Sequence, residues 1–423
     1  MINAQFGGDG LAPEQSETLS SMVQIAGPSR AKSLQDWLSD ARSTRRRPFD
    51  IGVKSALARF SKWLLDPTNH GASGAYMALG FWLRPAALAE QERSFEISTS
   101  SKLIATPRGL AFHLPPTNVE TIFIYSLALS MLCGNSNICR LPSQLSEASR
   151  ILLKHFVEAL VAANVDDMCL FVTYDLQTDA TAELSKLSDL RIIWGGDAKV
   201  QGISTLPQKA RGVTVGFPDR YSYSVLNASA YAALDIKARN ALASAAYNDI
   251  FLFDQMGCSS TQLQYWVGKK DDITLLALDF TARISVAAAA KGYDLGIAGA
   301  ATKLTQAMGL ALDGPVELLD ISDMMLVGVH HGQPRDLRDS RGGAGMVGII
   351  HLNSLLELAD LVQERDQTLA TFGFEIEELR DLVVSINGRG IDRMVPSWQA
   401  LQFDRIWDGQ DLLRSFSRLV TIS

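Results

Sequence analysis

The chain has 423 residues, 47% of them hydrophobic and 20% charged, which excludes a disordered chain, a collagen-like repeat and a disulfide scaffold. At roughly 150 residues per domain, this length implies two large domains or three small ones. With 39 basic and 46 acidic residues the net charge is -7, which argues against nucleic-acid binding as a main role, because phosphate contacts need an excess of Lys and Arg.

Residues 1–30 show no periodicity that assigns structure. The short basic run Arg42, Arg45, Arg46 and Arg47 before Pro48 reads as a solvated turn, with an anion or partner contact as the alternative. Segments 33–41 and 51–65 carry apolar residues at helical spacing, among them Ile51, Leu57, Phe60, Trp63 and Leu64, and predict amphipathic helices. Segment 93–113 has short apolar stretches broken by Thr106-Pro107-Arg108-Gly109, which predicts a β-hairpin.

From residue 114 helices and strands alternate. A helix over 120–133 stops at Gly134-Asn135, and a strand follows over 137–141. Ser146 caps a helix over 146–163 with Ile151, Leu152, Phe156 and Leu160 on one face. Then come a strand at 168–172, a helix at 180–187, a strand at 190–194 ending in Gly195-Gly196, a helix at 199–206, and strands at 213–216 and 222–226. Such alternation implies parallel β-α units in a doubly wound sheet. A second region, from about 230, predicts helices at 234–248, 273–290 and 355–365. Its strands are placed at 263–267, 320–329, 346–352 and 370–374. Segment 250–258 reads as a loop, and the chain closes with 388–396 and a β-type tail at 416–422.

Neither the apolar run 121–133 nor the Ala-rich stretch 284–312, interrupted by Lys291, Asp294 and Lys303, supplies the roughly 20 apolar residues that span a bilayer. With no targeting segment visible near Met1, a cytoplasmic protein is expected. The four cysteines form no metal spacing. Cys133, Cys139 and Cys169 lie in apolar stretches and read as core residues. His330-His331 reads as a surface pair, since neighbours on a strand point to opposite faces. His113, His155 and His351 read as isolated structural residues.

Three segments carry chemistry. In Leu114-Pro-Pro-Thr-Asn118, an Asn amide stands at the start of a helix, where it either donates to a developing oxyanion or caps the helix. Cys258, flanked by Gly257 and Ser259, lies in a polar turn, unlike a buried structural cysteine; it is either a nucleophile or an inert loop residue. Gly195-Gly196 after a buried strand either lets a cofactor pyrophosphate approach or marks a turn.

In this order the segments resemble the aldehyde dehydrogenase superfamily, and within it the LuxC-like acyl-CoA reductase (fatty-acid reductase) family. The superfamily pattern stands here as Pro116, Asn118, Gly134-Asn135, Arg140, Gly195-Gly196 and Cys258. The branch likeness rests on Asp254-Gln255-x-x-Cys258-Ser259-Ser260 and Gly390-Ile-Asp-Arg-Met-Val-Pro396. It continues in Ala400-Leu401 and Ile406-Trp407-Asp408-Gly409-x-Asp411-Leu412. Together the resemblance covers roughly residues 95–415.

The resemblance implies two doubly wound α/β domains, one cofactor-binding and one catalytic, with a small β oligomerisation hairpin. The expected parts are an N-terminal helical region (1–92), an NADP-binding domain with a protruding hairpin (93–229), a catalytic domain (230–397), and a C-terminal return with an oligomerisation strand (398–423). It further implies Cys258 and Asn118 as catalytic residues, with Pro116, Thr117, Arg140, Ser143, Gly195 and Gly196 at the cofactor. The substrate would be an acyl-CoA or acyl-carrier thioester, an acyl-activating synthetase a candidate partner, and the protein a homo-oligomer.

Two departures matter. Hydrolytic members carry a glutamate base in Glu-Leu-Gly-Gly, whereas Val213-Thr-Val-Gly216-Phe217 has no carboxylate, which favours acyl reduction over aldehyde oxidation. The family's Glu-x-Phe-Gly-Pro segment is replaced by Arg341-Gly-Gly-Ala-Gly345, so no ribose contact is assigned there. Arg140 keeps a positive charge while Pro142, Ser143 and Gln144 supply no carboxylate, so NADPH is expected over NADH. The competing readings are an NAD(P)-dependent aldehyde dehydrogenase that forms the acid, and a non-catalytic nucleotide-binding scaffold.

Overall fold

The structure is a computed structural model describing residues 22–27, 34–41, 45–70, 73–97, 102–175, 177–313, 316–321, 325–330, 338, 343 and 345–423. Residues 1–21, Ser33, Arg42 and His331 lie outside the described residues. The chain divides into two units. Unit one comprises Met1–Ala72, Leu79–Pro218 and Asp411–Ser423; unit two comprises Ser73–Ala78 and Asp219–Gln410.

The strands of unit one are β1 (Val23–Ala26), β2 (Leu103–Pro107), β3 (Leu110–Leu114), β4 (Ser136–Arg140), β5 (Cys169–Thr173), β6 (Leu190–Trp194) and β7 (Val213–Phe217). Six of them form a sheet in the order β1-β5-β4-β3-β6-β7, parallel except for β1, which runs antiparallel to β5. Every residue of β3 and β6 is buried. Apart from the buried polar His113 and Arg191, that is the apolar run of a parallel strand covered on both faces. The chain winds outward from β3 through β4 and β5, then returns to place β6 on the other side of β3. This reversal is a topological switch point, where open α/β sheets hold ligands beyond the carboxyl ends of the strands.

The helix Ile122–Leu132 is buried on all sides. Its stop is fixed sterically: Gly134 has φ +83°, and a Cβ there would lie 2.1 Å from the Arg46 carbonyl oxygen. Ser146 caps the helix Glu147–Ala162 by accepting from the Ser149 N–H at 3.1 Å. Leu152, Phe156 and Leu160 are buried on it, but Ile151 is exposed and leaves the expected face.

In unit two the strands are β8 (Tyr221–Asn227), β9 (Thr261–Val267), β10 (Val316–Ile321), β11 (Leu326–His330), β12 (Met346–Leu352), β13 (Asp366–Phe372) and β14 (Arg393–Pro396). They form one sheet in the order β10-β11-β12-β9-β8-β13-β14, parallel except at β10. Alternation along β8 sends Tyr221, Tyr223 and Val225 into one core and Leu226 into the other. The helix Lys270–Ala290 is long and apolar enough to cross a membrane by length and composition. Its Ile273, Ala277, Phe280, Ile284 and Ala288 are instead spent on the core against Trp266. Two short strands, β15 (Ile406–Trp407) and β16 (Gln410–Asp411), flank Asp408 and Gly409 at φ +47° and +67°, the conformation of a tight two-residue hairpin. The last strand, β17 (Ser417–Thr421), returns to unit one.

Several expectations are corrected. Segment 93–113 is not a hairpin: β2 pairs antiparallel with β17, while β3 enters the parallel sheet. Residues 93–97 end the helix Pro85–Ile97, which follows Gly74–Leu83; neither helix was expected. The expected strand 320–329 is the antiparallel pair β10–β11. Helix 355–365 shortens to a single turn at Leu355–Glu357 followed by Leu358–Leu361. The helices Gly296–Asp313 and Ile376–Ile386 are additional.

Candidate active site

In unit two, the helix Ile236–Phe251 runs into the tight turn Leu252–Gln255, where Phe253, Asp254 and Gln255 adopt φ of 58°, 49° and 64°. Three successive non-glycine residues in the left-handed region cost on the order of 1 kcal/mol each. Gln255, 2% exposed, holds them there. Its Nε2 donates to the Thr261 carbonyl at 2.7 Å and the Met346 carbonyl at 2.9 Å; its Oε1 accepts from Gly345 N–H at 2.8 Å. The next turn, closed by Ser260 N–H to Gly257 O at 3.0 Å, presents Cys258 just before β9. A Cβ on Gly257 would meet Ser260 Oγ at 2.9 Å and Leu401 Cδ2 at 3.1 Å, so this flank of the cysteine has no room for a side chain.

Cys133, Cys139 and Cys169 are buried, as expected, whereas Cys258 is half-buried. Polar groups surround it. Ser222 Oγ donates to the Cys258 carbonyl at 2.7 Å and accepts from Thr368 N–H at 3.1 Å. Ser259 Oγ donates to Gln367 Oε1 at 2.9 Å, and Gln367 Nε2 donates to Asp408 Oδ1. Beyond Asp408, Arg220 Nε lies 3.6 Å from its Oδ2, and Arg220 also pairs with Asp392 at 3.3 Å. The family-like segments converge on this chain of contacts. Arg393 donates to the Ala400 carbonyl at 3.0 Å and lies over the Trp407 ring, and Gly390 passes so close to the Gln363 carbonyl that a Cβ would sit 2.2 Å from it. Burial, then the charge of Asp408, push the Cys258 thiol up to about 11, against weaker opposing hydrogen bonds from Gln367 and Ser259. The setting is therefore polar, but it favours the protonated thiol.

Of the segment 341–345, Gly343 and Gly345 are described; Gly345 is bound by Gln255, and Arg341, Gly342 and Ala344 lie outside the described residues.

In unit one the remaining expected residues gather around the carboxyl ends of β3, β4 and β6. Pro116 is half-buried, and Thr117 and Asn118 are exposed on bends after β3. The helix that follows begins at Ile122 with Thr121 as its N-cap, so Asn118 is not its cap. Arg140 ends β4 with its guanidinium 5.6 Å from the Tyr174 ring centre, and its Nε is buried without a hydrogen-bond partner. Ser143 opens onto a groove of about 770 Å³ that Gln144, Arg150 and Lys154 also line. A Cβ on Gly195 would lie 2.7 Å from Lys199 Cδ, whereas at Gly196 it would meet nothing within 4 Å. The space at Gly196, the partnerless Arg140 Nε and the switch point fit an anionic dinucleotide cofactor.

Sequence reasoning passed over Lys199, which it treated as the first residue of a helix; the observed helix is Asp197–Ser204. In β7, Thr214 Oγ1 accepts from Arg191 Nε at 3.1 Å and donates to Gln208 Oε1 at 2.9 Å, so the position offers no base. Among the described residues no group of three or more His, Cys, Asp and Glu is placed to hold a metal. His113 is buried between Ser126 Oγ (2.8 Å) and Asn137 Oδ1 (3.0 Å), and burial lowers it to about 4, the behaviour of a structural histidine.

Residues 89–287 match the model of the LuxC family, acyl-CoA reductase. The long-chain acyl-protein thioester reductase of Photorhabdus laumondii is 24% identical over 335 residues, covering 76% of this chain and 64% of that protein; the chain thus spans less than two thirds of that relative's length. Methylmalonate-semialdehyde dehydrogenase (DddC) from Oceanimonas doudoroffii superposes with a TM-score of 0.66 at 12% identity, covering 92% of this chain and 90% of that one. An NAD-dependent aldehyde dehydrogenase from Sinorhizobium meliloti gives 0.65 at 13% identity, covering 95% and 91%. Over residues 89–287 the chain is similar to the LuxC acyl-CoA reductases, and its fold is that of the aldehyde dehydrogenases.

Proposed function

We propose that the protein reduces an acyl thioester, either acyl-CoA or a carrier-bound fatty acyl group, to the aldehyde through an acyl-enzyme on Cys258. The observation that carries this reading is the Cys258 turn: half-buried, held by Gln255 against backbone strain, and set among polar groups contributed by the family-like segments. Cys258 attacks the thioester carbonyl, the donor thiol departs with the proton, and the acyl group stays on sulfur. The Asn118 amide and the Cys258 backbone N–H stabilise the oxyanion; losing one such donor typically costs about 10²–10³ in rate. NADPH, when bound, supplies the hydride for such a reduction. Pro116, Thr117, Arg140, Ser143, Gly195 and Gly196 hold it. Because β7 carries no carboxylate, it cannot activate water to hydrolyse the acyl-enzyme to the acid.

An acyl-activating synthetase is a fitting supplier of the acyl group. The β2–β17 ribbon, which joins the two segments expected to pair subunits, is suited to extend a neighbouring chain's sheet in a homo-oligomer.

The test is thioester-dependent loss of NADPH absorbance with purified protein, with the aldehyde identified as product. Acyl mass on the Cys258 peptide when NADPH is withheld supports the reading. Full activity in Cys258→Ala, or carboxylic acid formed with reduction of NADP⁺, refutes it.

A further inference from the structure

Asp249 stands in the last turn of the helix Ile236–Phe251 and is 3% exposed. Both settings work against a carboxylate: burial strips its hydration, and a helix C-terminus carries partial negative charge. Its hydrogen-bond partners are backbone N–H groups. Trp398 N–H donates to Oδ2 at 2.6 Å and Ala400 N–H to Oδ1 at 3.1 Å, with Trp398 in the left-handed region at φ 71°. Only a carboxylate accepts strongly at both oxygens. An asparagine in its place presents one oxygen and one NH₂, and a protonated acid turns one oxygen into a hydroxyl.

The two N–H groups belong to the segment that flanks the Cys258 turn. Leu401, next after Ala400, packs on Gly257, where a Cβ would lie 3.1 Å from its Cδ2. Arg393 holds the same segment by its carbonyls, donating to Ala400 O at 3.0 Å and Gln399 O at 3.4 Å. One carboxylate thus ties the helix that leads into the strained turn at 253–255 to the segment that closes on Gly257, beside Cys258. A cavity of about 10 Å³ lies at the carboxyl, the least that admits one water, so solvent relieves its charge little. β8, β9, β13 and the helix Lys270–Ala290 reach this cavity with Ser224, Thr261, Gln264, Ala370 and Phe280, which do not titrate, and the charge that acts on the acid is that of Arg393 on β14. Burial, against the N–H bonds from Trp398 and Ala400 and then Arg393, raises Asp249 to about 7 from the ordinary 3.8. The folded chain therefore holds this proton more tightly than the unfolded one, and the group's contribution to stability is complete below 3.8 and lost as pH rises through 7. Above that pH the fold carries the ionised form at a cost in stability, and what it gains is the double acceptor.

We propose that Asp249 is a positioning residue for Cys258: ionised, it seats residues 398–401 against Gly257 and narrows access to the sulfur; protonated, it releases them. This rests on the reductase reading only in taking Cys258 as the residue that reacts.

Reaction of Cys258 with 2,2′-dithiodipyridine, which detects thiols in acid as well as at neutral pH, reads the seat without turnover, with the Cys258→Ala protein as the blank. The rate should follow the thiolate, about tenfold per pH unit, wherever the segment stays in one state. In the wild type this rise should flatten between pH 6 and 8, as the ionising acid seats Leu401. Asp249→Asn, released at every pH, should climb evenly, matching the wild type at pH 6 and exceeding it several-fold at pH 8.5. A purely structural role predicts curves separated by one factor at every pH; that result, or curves that coincide, overturns the proposal. If Asp249→Asn does not fold, Leu401→Ala decides: with the acid intact and the seated side chain gone, the flattening should disappear, and flattening that persists overturns the proposal. Full activity in Cys258→Ala defeats the reductase reading but leaves this profile standing, whereas an even climb in the wild type defeats the positioning role alone.

Discussion

Replacing Gln255 with alanine tests whether the Cys258 turn is held by a clamp or stable by itself. The side chain makes three hydrogen bonds in a buried setting, to Thr261 O, Met346 O and Gly345 N. At a net 0.5–1.5 kcal/mol each, these contribute roughly 3 kcal/mol. The left-handed residues Phe253, Asp254 and Gln255 store a similar amount, about 1 kcal/mol apiece. Clamp and strain are thus nearly matched, so the turn stays in register with Gln255 and relaxes without it. Gln255→Ala should nonetheless lose about 1–3 kcal/mol of stability in urea titrations, because the Thr261 and Met346 carbonyls and the Gly345 N–H lose their buried partner at a cost beyond the bonds themselves, which the released strain offsets only in part. The larger effect should be local. Iodoacetamide modification of Cys258, followed by peptide mass at fixed pH, should change several-fold while the buried Cys133, Cys139 and Cys169 stay protected. A variant within about 0.5 kcal/mol of wild type, with Cys258 labelled at the wild-type rate, would refute the clamp.

The remaining expectations concern ionisation. Because Cys258 is pushed up to about 11, its alkylation rate should climb through pH 8 and 9 without a plateau. Asp408→Asn removes the nearby negative charge and should lower the midpoint by at least about one unit; an unshifted profile would show that Asp408 does not act on the sulfur. His113 titrates at about 4 when folded against 6.5 when free, so the unfolded chain binds more protons between those values. Its contribution is complete above pH 6.5 and lost as pH falls toward 4, on the order of 3 kcal/mol. Urea unfolding followed through Trp194, whose indole bonds Ser126 beside His113, should weaken across that window, and His113→Gln should flatten the slope.

The parallel strands were legible because their burial is written locally. Strands covered on both faces are mostly apolar, so 190–194 and 346–352 were found at their observed bounds despite Arg191 and His351. Helix Gly74–Leu83 was missed for the converse reason: an apolar run without a polar face carries no 3.6-residue stripe. The false hairpin has a different cause. Thr106-Pro107-Arg108-Gly109 does turn the chain, but a turn signal does not say which strand the next segment joins. Leu103 pairs with Thr421, at the far end of the sequence.

The site divides along the same line. Cys258 declared itself through its polar neighbours in sequence, whereas its ionisation is set by burial and then by Asp408, which is distant in the chain; both act only through folding. The sequence pointed to an accessible, reactive sulfur; the structure adds that this sulfur rests protonated. On the proposed route, in which an acyl group must be held until hydride arrives, that is useful. A thiol of high pKa is a poor leaving group, so its thioester yields slowly to water. The absence of a carboxylate on β7 acts in the same direction, because no side chain of that strand draws a proton from an attacking water. Two features far apart in sequence thus limit the same side reaction, one through the leaving group and the other through the nucleophile. A hydrolytic dehydrogenase needs the opposite of both, a thioester that water cleaves readily and a base to deliver that water.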